Sequence, residues 1–250
     1  MPYGLYLSAE GADAQSRRME VISNNLANVN TAGFKRDLAI FQSRYAEATI
    51  QGLDQPGSGT INDLGGGIAV RETTTDFTQG PMKNTKIPTD FAVRGDGFFV
   101  VERDGEQMLT RAGNFQFTSD GSLVTQDGFS VLDSSNSPIK IQPEQGPWRL
   151  TDDGSIYQAG NLQKLAIVQP SSLRQLAKAG DNLFRSQGET LPVEDSSRRV
   201  VSGFLEQSGV SATLETMQLI EASRAFEANV ALIRHQDEML GGLVSRVLRA

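Results

Sequence analysis

Apolar residues recur at every seventh position at both ends of this chain, which restricts the ends to helices that need an apolar partner. At the N-terminus Leu5, Ala12, Met19 and Leu26 are spaced by sevens, and Ile22 and Val29 follow Met19 and Leu26 by three. Asp13, Arg17, Arg18 and Glu20 lie off the stripe. At the C-terminus Leu219, Phe226, Ile233, Leu240 and Val247 repeat the interval, with Val230 and Val244 four residues after Phe226 and Leu240. Residues 212–240 are dominated by Ala, Leu, Glu, Met, Gln and Arg, so intrinsic propensity agrees with the pattern. Ser211 is the expected N-cap of this helix, and Glu215 sits in its first turn, where the helix dipole favours an anion. Gly33 is the expected stop of the first helix. Gly241 and Gly242 loosen the last turns of the second. The two helical segments, 1–33 and 208–250, are expected to pair with each other as coiled-coil helices.

Asn24, Asn25, Asn28 and Asn30 interrupt the first stripe. Asparagine is a poor helix former because its amide competes for backbone hydrogen bonds. A catalytic site, a helix cap and a helix–helix seam are the readings open to such a cluster. A polar residue in a seam fixes register and partner at a cost in stability. On that reading the assembly interface comprises Leu5, Ala12, Met19, Ile22, Asn24, Asn25, Leu26, Asn28 and Val29. The C-terminal helix contributes Leu219, Phe226, Asn229, Val230, Ile233 and Leu240.

The middle of the chain has a different grammar. Asp96-Gly97, Asp104-Gly105, Asp120-Gly121, Asp127-Gly128 and Asp153-Gly154 punctuate short apolar runs. Asp-Gly between such runs signals a hairpin, because both central residues of a type I′ turn need positive φ. "LQKLAIVQP" (162–170) reads as one further strand stopped by Pro170. Residues 68–207 are therefore expected to form an antiparallel β domain, a barrel or sandwich, inserted between the helices. Before it, Phe34, Leu38, Phe41, Tyr45 and Ala48 keep helical spacing, which predicts a short helix. A glycine-rich connector follows, so that 34–67 links the helical module to the β domain. "SQGETLPVEDSSRRVVS" (186–202) reads as a polar return loop. The expected class is α+β, with a mainly β centre and α termini.

Charge and composition exclude several functions. Thirty acidic residues outnumber 23 basic ones, giving a net charge of −7, and the basic residues are scattered. That argues against a nucleic-acid partner. The 250 residues contain no cysteine, which removes disulfides and thiolate metal sites. No run approaches the roughly 20 apolar residues of a membrane span, so membrane insertion is not expected. The first residues lack the basic and apolar regions of a secretory signal peptide.

Catalytic constellations are equally absent from the pattern. The single histidine, His235, sits in "LIRHQDEML" with no nucleophile motif beside it. Asp152–Asp153, or Asp96 with Glu102, could form a carboxylate pair, but Asp in Asp-Gly turns is explained by turn geometry. Gly65–Gly67 lacks the Lys-Ser/Thr of a phosphate loop. Arg94-Gly95-Asp96 spells an adhesion tripeptide that a tight turn explains. No calcium-loop spacing is present. Catalytic residues, cofactors and metals are not expected. A ligand-binding β domain carrying helical oligomerisation arms is the alternative to a structural assembly protein.

Several stretches carry a resemblance. "ISNNLANVNTAGFKR" (22–36) resembles the N-terminal motif of bacterial flagellar rod and hook proteins. "ASRAFEANVALIRHQDEML" (222–240) resembles the C-terminal motif of the same family. "VRGDGFFVV", "TRAGNF" and "DGSLVTQDGFSVL" resemble the β domain of its rod members, and "GDNLFRS" (180–186) is similar to the proximal-rod branch, with the distal-rod branch as the alternative. "FLEQSGVSA" departs from the family's L-E-x-S-N-V by placing Gly209 where Asn is common, so Ser211 is left to cap the helix. The resemblance implies a basal-body rod subunit exported uncleaved through the flagellar type III apparatus into the periplasm-spanning rod. Its implied partners are other rod proteins, copies of itself and that export apparatus.

Overall fold

The computed structural model describes residues 3–55, 57–60, 65–194 and 198–247. Parts of the expected glycine-rich connector (56 and 61–64), of the return loop (195–197) and of the chain's last segment (248–250) lie outside the described residues. The chain is α+β with a β centre. It divides into two compact units, one of residues 1–27, 36–76 and 210–250, the other of 28–35 and 77–209.

The first unit is built on two helices, α1 (Tyr3–Ala27) and α3 (Ala212–Val247). The Ser211 carbonyl accepts the Glu215 N–H at 2.9 Å, which puts Ser211 at the cap position ahead of α3. Helix α1 stops at Ala27, six residues before Gly33, and Asn28–Asn30 form a turn. The expected short helix over 34–48 is instead a strand, β1 (Asp37–Ser43), followed by one helical turn, α2 (Glu47–Ile50). Strand β1 pairs antiparallel with β2 (Ile68–Thr75), whose run of threonines suits a pleated surface. A bulge between Ile40 and Phe41 shifts the register. The extra residue is Arg71 of β2, which lies between the partners of Ile40 and Phe41.

The second unit holds the remaining strands. In chain order they are β3 (Met82–Asn84), β4 (Phe91–Val93), β5 (Phe98–Arg103), β6 (Glu106–Thr110), β7 (Gln116–Phe117), β8 (Leu123–Val124) and β9 (Ser130–Val131). There follow β10 (Arg149–Leu150), β11 (Ser155–Gln158), β12 (Asn161–Lys164), β13 (Ile167–Pro170), β14 (Leu176–Gly180), β15 (Leu183–Ser186), β16 (Thr190–Pro192), β17 (Val200–Ser202) and β18 (Phe204–Glu206). The largest sheet runs β14-β15-β6-β5-β9-β8-β7, with β13 and β16 joined at β5. Strands β10–β12 form a separate meander, and β17–β4 and β18–β3 are two-stranded. None of these sheets closes into a barrel among the described residues. The 162–170 run is split into β12 and β13 rather than forming one strand.

Strand β5 is the centre of the core. Phe99 and Val101 enter one apolar cluster with Phe91, Phe115 and Leu123, while Phe98 and Val100 enter another with Leu109 and Phe184. Alternation on a strand covered on both faces produces this division. Of the Asp-Gly pairs, only Asp104-Gly105 has both central residues at positive φ (54° and 80°), as a type I′ turn between β5 and β6 requires. The same geometry recurs at Ala159-Gly160, which carries no Asp-Gly signal. Asp96-Gly97 joins β4 to β5, which do not pair, so it is not a hairpin.

Candidate assembly interface

Helices α1 and α3 pack against each other along their length. Ala12 and Ile22 are buried on α1, and Leu5, Met19 and Leu26 are half-buried. On α3 Ala222 is fully buried, flanked by half-buried Leu219, Phe226, Asn229, Val230, Ile233 and Leu240. The heptad stripes therefore meet, and the side chains that set the register are polar. A Cβ placed on Gly4 would lie 2.8 Å from Gln236 Nε2, and one on Gly11 would lie 3.0 Å from Asn229 Oδ1. Each glycine leaves room for an amide of the facing helix. The two contacts are one heptad apart on both helices and run in opposite directions, so the pair is antiparallel. Asn229 Nδ2 donates to the Ala225 carbonyl at 3.0 Å, which holds the amide along its own helix. Arg18 reaches Glu221 at 3.7 Å farther along.

The N-terminal asparagines do something else. Asn24 is exposed. Asn25 is buried, and it addresses the strand rather than the partner helix. Its Nδ2 donates to the Asp37 carbonyl at 2.8 Å, and the Asp37 N–H donates to its Oδ1 at 2.9 Å. Asn28 and Val29 lie beyond the end of α1, which removes them from the helical seam. The Thr31 hydroxyl donates to Asn28 Oδ1 at 3.1 Å, so Asn28 closes the turn after the helix. The first unit is fastened further by Glu10 with Arg44 (3.2 Å), by Tyr3 OH donating to the Gly65 carbonyl, and by Arg36 between Asp76 (3.3 Å) and buried Glu215 (3.8 Å).

Helix α3 has a second apolar face. Leu214, Met217, Leu232 and Met239 are exposed, between 43% and 64% of their maximum, and fall to one side of the stripe that contains Ala222 and Phe226. The outward positions of α1 include Asp13, Arg17, Glu20 and Ser23, which are polar. His235 is exposed among the outward residues of α3 and lies 3.7 Å from Glu238.

The second unit buries an ionic cluster that the sequence pattern does not reveal. Lys35 Nζ donates to Glu206 Oε1 at 2.6 Å and to the Thr78 carbonyl at 2.8 Å. Arg111 approaches Glu206 Oε2 at 3.5 Å and donates to the Gly95 carbonyl at 2.8 Å. The three side chains are 1%, 2% and 6% exposed for Lys35, Glu206 and Arg111. Burial lowers the Arg111 pKa, and the negative charges of Glu206 and Asp96 oppose that shift. Gly33 presses on the Arg111 main chain beside this cluster at φ +67°, where a Cβ would lie 2.4 Å from the Arg111 carbonyl carbon. The "NTAGFK" and "LEQSG" stretches are thus one structural feature, legible only as two separate motifs in the sequence.

Comparison with known proteins follows the same division. Residues 5–35 match the family described as flagella basal body rod protein. Residues 92–161 match the D1 domain of flagellar hook protein FlgE/F/G, and 201–246 the C-terminal region of flagellar basal body rod FlgEFG proteins. A flagellar basal-body rod protein FlgF of Caulobacter vibrioides is 33% identical over 249 residues, covering 99% of this chain and 98% of its own. The chain belongs to the flagellar basal-body rod family. A FlgG of Agrobacterium fabrum is 34% identical over 263 residues, covering 98% of this chain and 99% of its own, and a FlgG of Bacillus subtilis is 33% identical, covering 96% and 97%. The family match at the C-terminus begins in β17 and takes in β18 and α3, so it contains Glu206. The match at the N-terminus takes in α1 and ends on Lys35.

Proposed function

We propose that this chain is a structural, non-catalytic subunit of the flagellar basal-body rod that joins its neighbours through α1 and α3. The two-faced α3 carries this reading. One face is satisfied by α1 within the chain, and beside it Leu214, Met217, Leu232 and Met239 expose large apolar side chains that a neighbouring molecule would cover. A contact between unlike surfaces whose rotation does not close into a ring propagates as an open helical array, the geometry of a rod. The partners are other rod proteins and further copies of this chain. Delivery is through the flagellar type III export apparatus, without a cleaved signal peptide, to the periplasm-spanning rod. Among the described residues no helix is long and apolar enough to cross a membrane, which agrees with an axial rather than a membrane-embedded position.

The branch is FlgF-like. Similarity to FlgG proteins is of the same size, but the Caulobacter FlgF aligns over a span matching this chain's length, whereas the Agrobacterium FlgG needs 263 aligned positions. Deleting the gene in its own bacterium and isolating basal bodies tests both levels. Loss of the rod, restored by the intact chain, is the expected result. A complete rod in its absence would refute the structural role. A rod truncated near its base points to the FlgF-like position, and one truncated near its distal end to the FlgG-like one.

A further inference from the structure

The ionic cluster ties together passages of chain that are far apart in sequence. After α1 the chain runs through 28–35 in the β unit, leaves it, returns at Phe77 and leaves finally after Gly209. Lys35 Nζ bridges Glu206 Oε1 and the Thr78 carbonyl, and the Gly80 N–H donates to the same Glu206 oxygen at 2.9 Å. The main chain repeats the tie. The Gly33 N–H donates to the Glu206 carbonyl at 2.8 Å, and the Gly209 N–H to the Phe34 carbonyl at 3.0 Å. Phe34 is roofed by the Lys178 ammonium, 4.3 Å from its ring centroid. The passage leading out of α1 and the passage leading into α3 are therefore cross-linked before either reaches the strands of the core.

We propose that Lys35 and Glu206, backed by Arg111, form a mechanical clamp that keeps tension on the terminal helices away from the β core. The assignment of a role under torque rests on the rod reading above; the clamp itself does not. Tension drawn from α1 travels along 28–35, and tension drawn from α3 travels along 209–206. Both meet at the same buried pair. While it holds, the roughly 170 residues between Lys35 and Glu206, on the order of 600 Å of extended chain, carry none of that tension. The pair suits this task because its groups are buried: removing Glu206 leaves the Lys35 and Arg111 cations without their shared carboxylate, and removing Lys35 takes away its bonds to Glu206 and the Thr78 carbonyl, so the tie is either closed or costly to open. Lys35 and Glu206 are positioning residues in this scheme.

The test is to hold the purified full chain by its two ends in an optical trap. Wild-type chains are expected to separate the helices first and then release the clamped segment in one step of about 600 Å contour. Lys35→Met and Glu206→Gln should lower the force of that step at least about twofold, in chains whose Trp148 emission still reports a folded β unit. Lys35→Arg, which keeps the charge, should recover most of it. If Lys35→Met does not fold, Glu206→Gln carries the comparison, because it keeps the side-chain shape and an acceptor for Gly80. An unchanged rupture force in a folded Glu206→Gln chain would overturn the clamp, as would wild-type release in several small steps starting at β17 and β18. Because the measurement is made on single chains, a failure of the rod reading would leave its outcome untouched.

Discussion

Asn25 spends both ends of its amide on the main chain of one residue, Asp37, twelve residues away. Its side chain is buried, so losing the amide removes the partner that the fold gives the Asp37 N–H and carbonyl. Asn25→Leu should destabilise the protein by about 2 to 4 kcal/mol, measured as a lower denaturant midpoint, because two polar main-chain groups lose their partner. The neighbouring asparagines look identical in sequence yet sit in a helix, at a strand and in a turn. Local pattern cannot separate them, because what distinguishes Asn25 is a contact made by the fold. Gly33 shows the same limit. Its place after the apolar stripe reads as a helix stop, whereas α1 ends at Ala27 and Gly33 belongs to the β unit, close against the Arg111 main chain. Gly33→Ala is expected to cost about 2 kcal/mol or more, with the loss seen in Trp148 emission during urea titration.

At the scale of elements, two turns repeat one device. Thr118-Ser-Asp120-Gly-Ser122 and Thr151-Asp-Asp153-Gly-Ser155 each aim a threonine and a serine hydroxyl at the central carboxylate. The Thr118 hydroxyl, then that of Ser122, holds Asp120 below the ordinary carboxylate range; the Thr151 hydroxyl does the same for Asp153, against a partial desolvation cost. Because the folded values are depressed, these carboxylates contribute stability above the unfolded Asp value of about 3.9, and that stability is lost as pH falls through the folded values. The double variant Asp120→Asn/Asp153→Asn should therefore show a shallower loss of stability below about pH 4 than the wild type, read from urea midpoints between neutral and acid pH. Such turns are legible, since Asp-Gly between apolar runs is a local signal. Strand β1 is not. Leu38, Phe41 and Tyr45 stand at helical spacing, and its partner strand lies beyond a connector that carries no pairing information. The β class is therefore readable while its division into open sheets is not, because sheet closure depends on which strands meet.

Across the molecule, α3 must serve two surfaces, and two kinds of substitution separate them. Phe226 stands one turn from Ala222 and from Asn229 on the side facing α1, whereas Leu232 and Met239 point outward. Phe226→Asp would put a carboxylate into the seam opposite α1. It should loosen the helix pair in the isolated chain, at a cost of several kcal/mol, and thereby block incorporation into the rod as well. Leu232→Glu with Met239→Glu should leave the isolated chain intact, within about 1 kcal/mol, since both side chains are already in water. It should nevertheless block incorporation, because an apolar contact with a neighbour would then have to bury two charges. The measurements are far-UV circular dichroism on thermal unfolding for the single chain and electron microscopy of basal bodies for the assembled one. Normal rods from the Leu232→Glu/Met239→Glu chain would show that the outer face of α3 is not the surface that neighbours use. Normal rods from Phe226→Asp would show that assembly tolerates an opened α1–α3 pair. The heptads make the inner face visible in sequence. The outer side can be recognised only after α1 has claimed the inner one, because large apolar side chains stand on both.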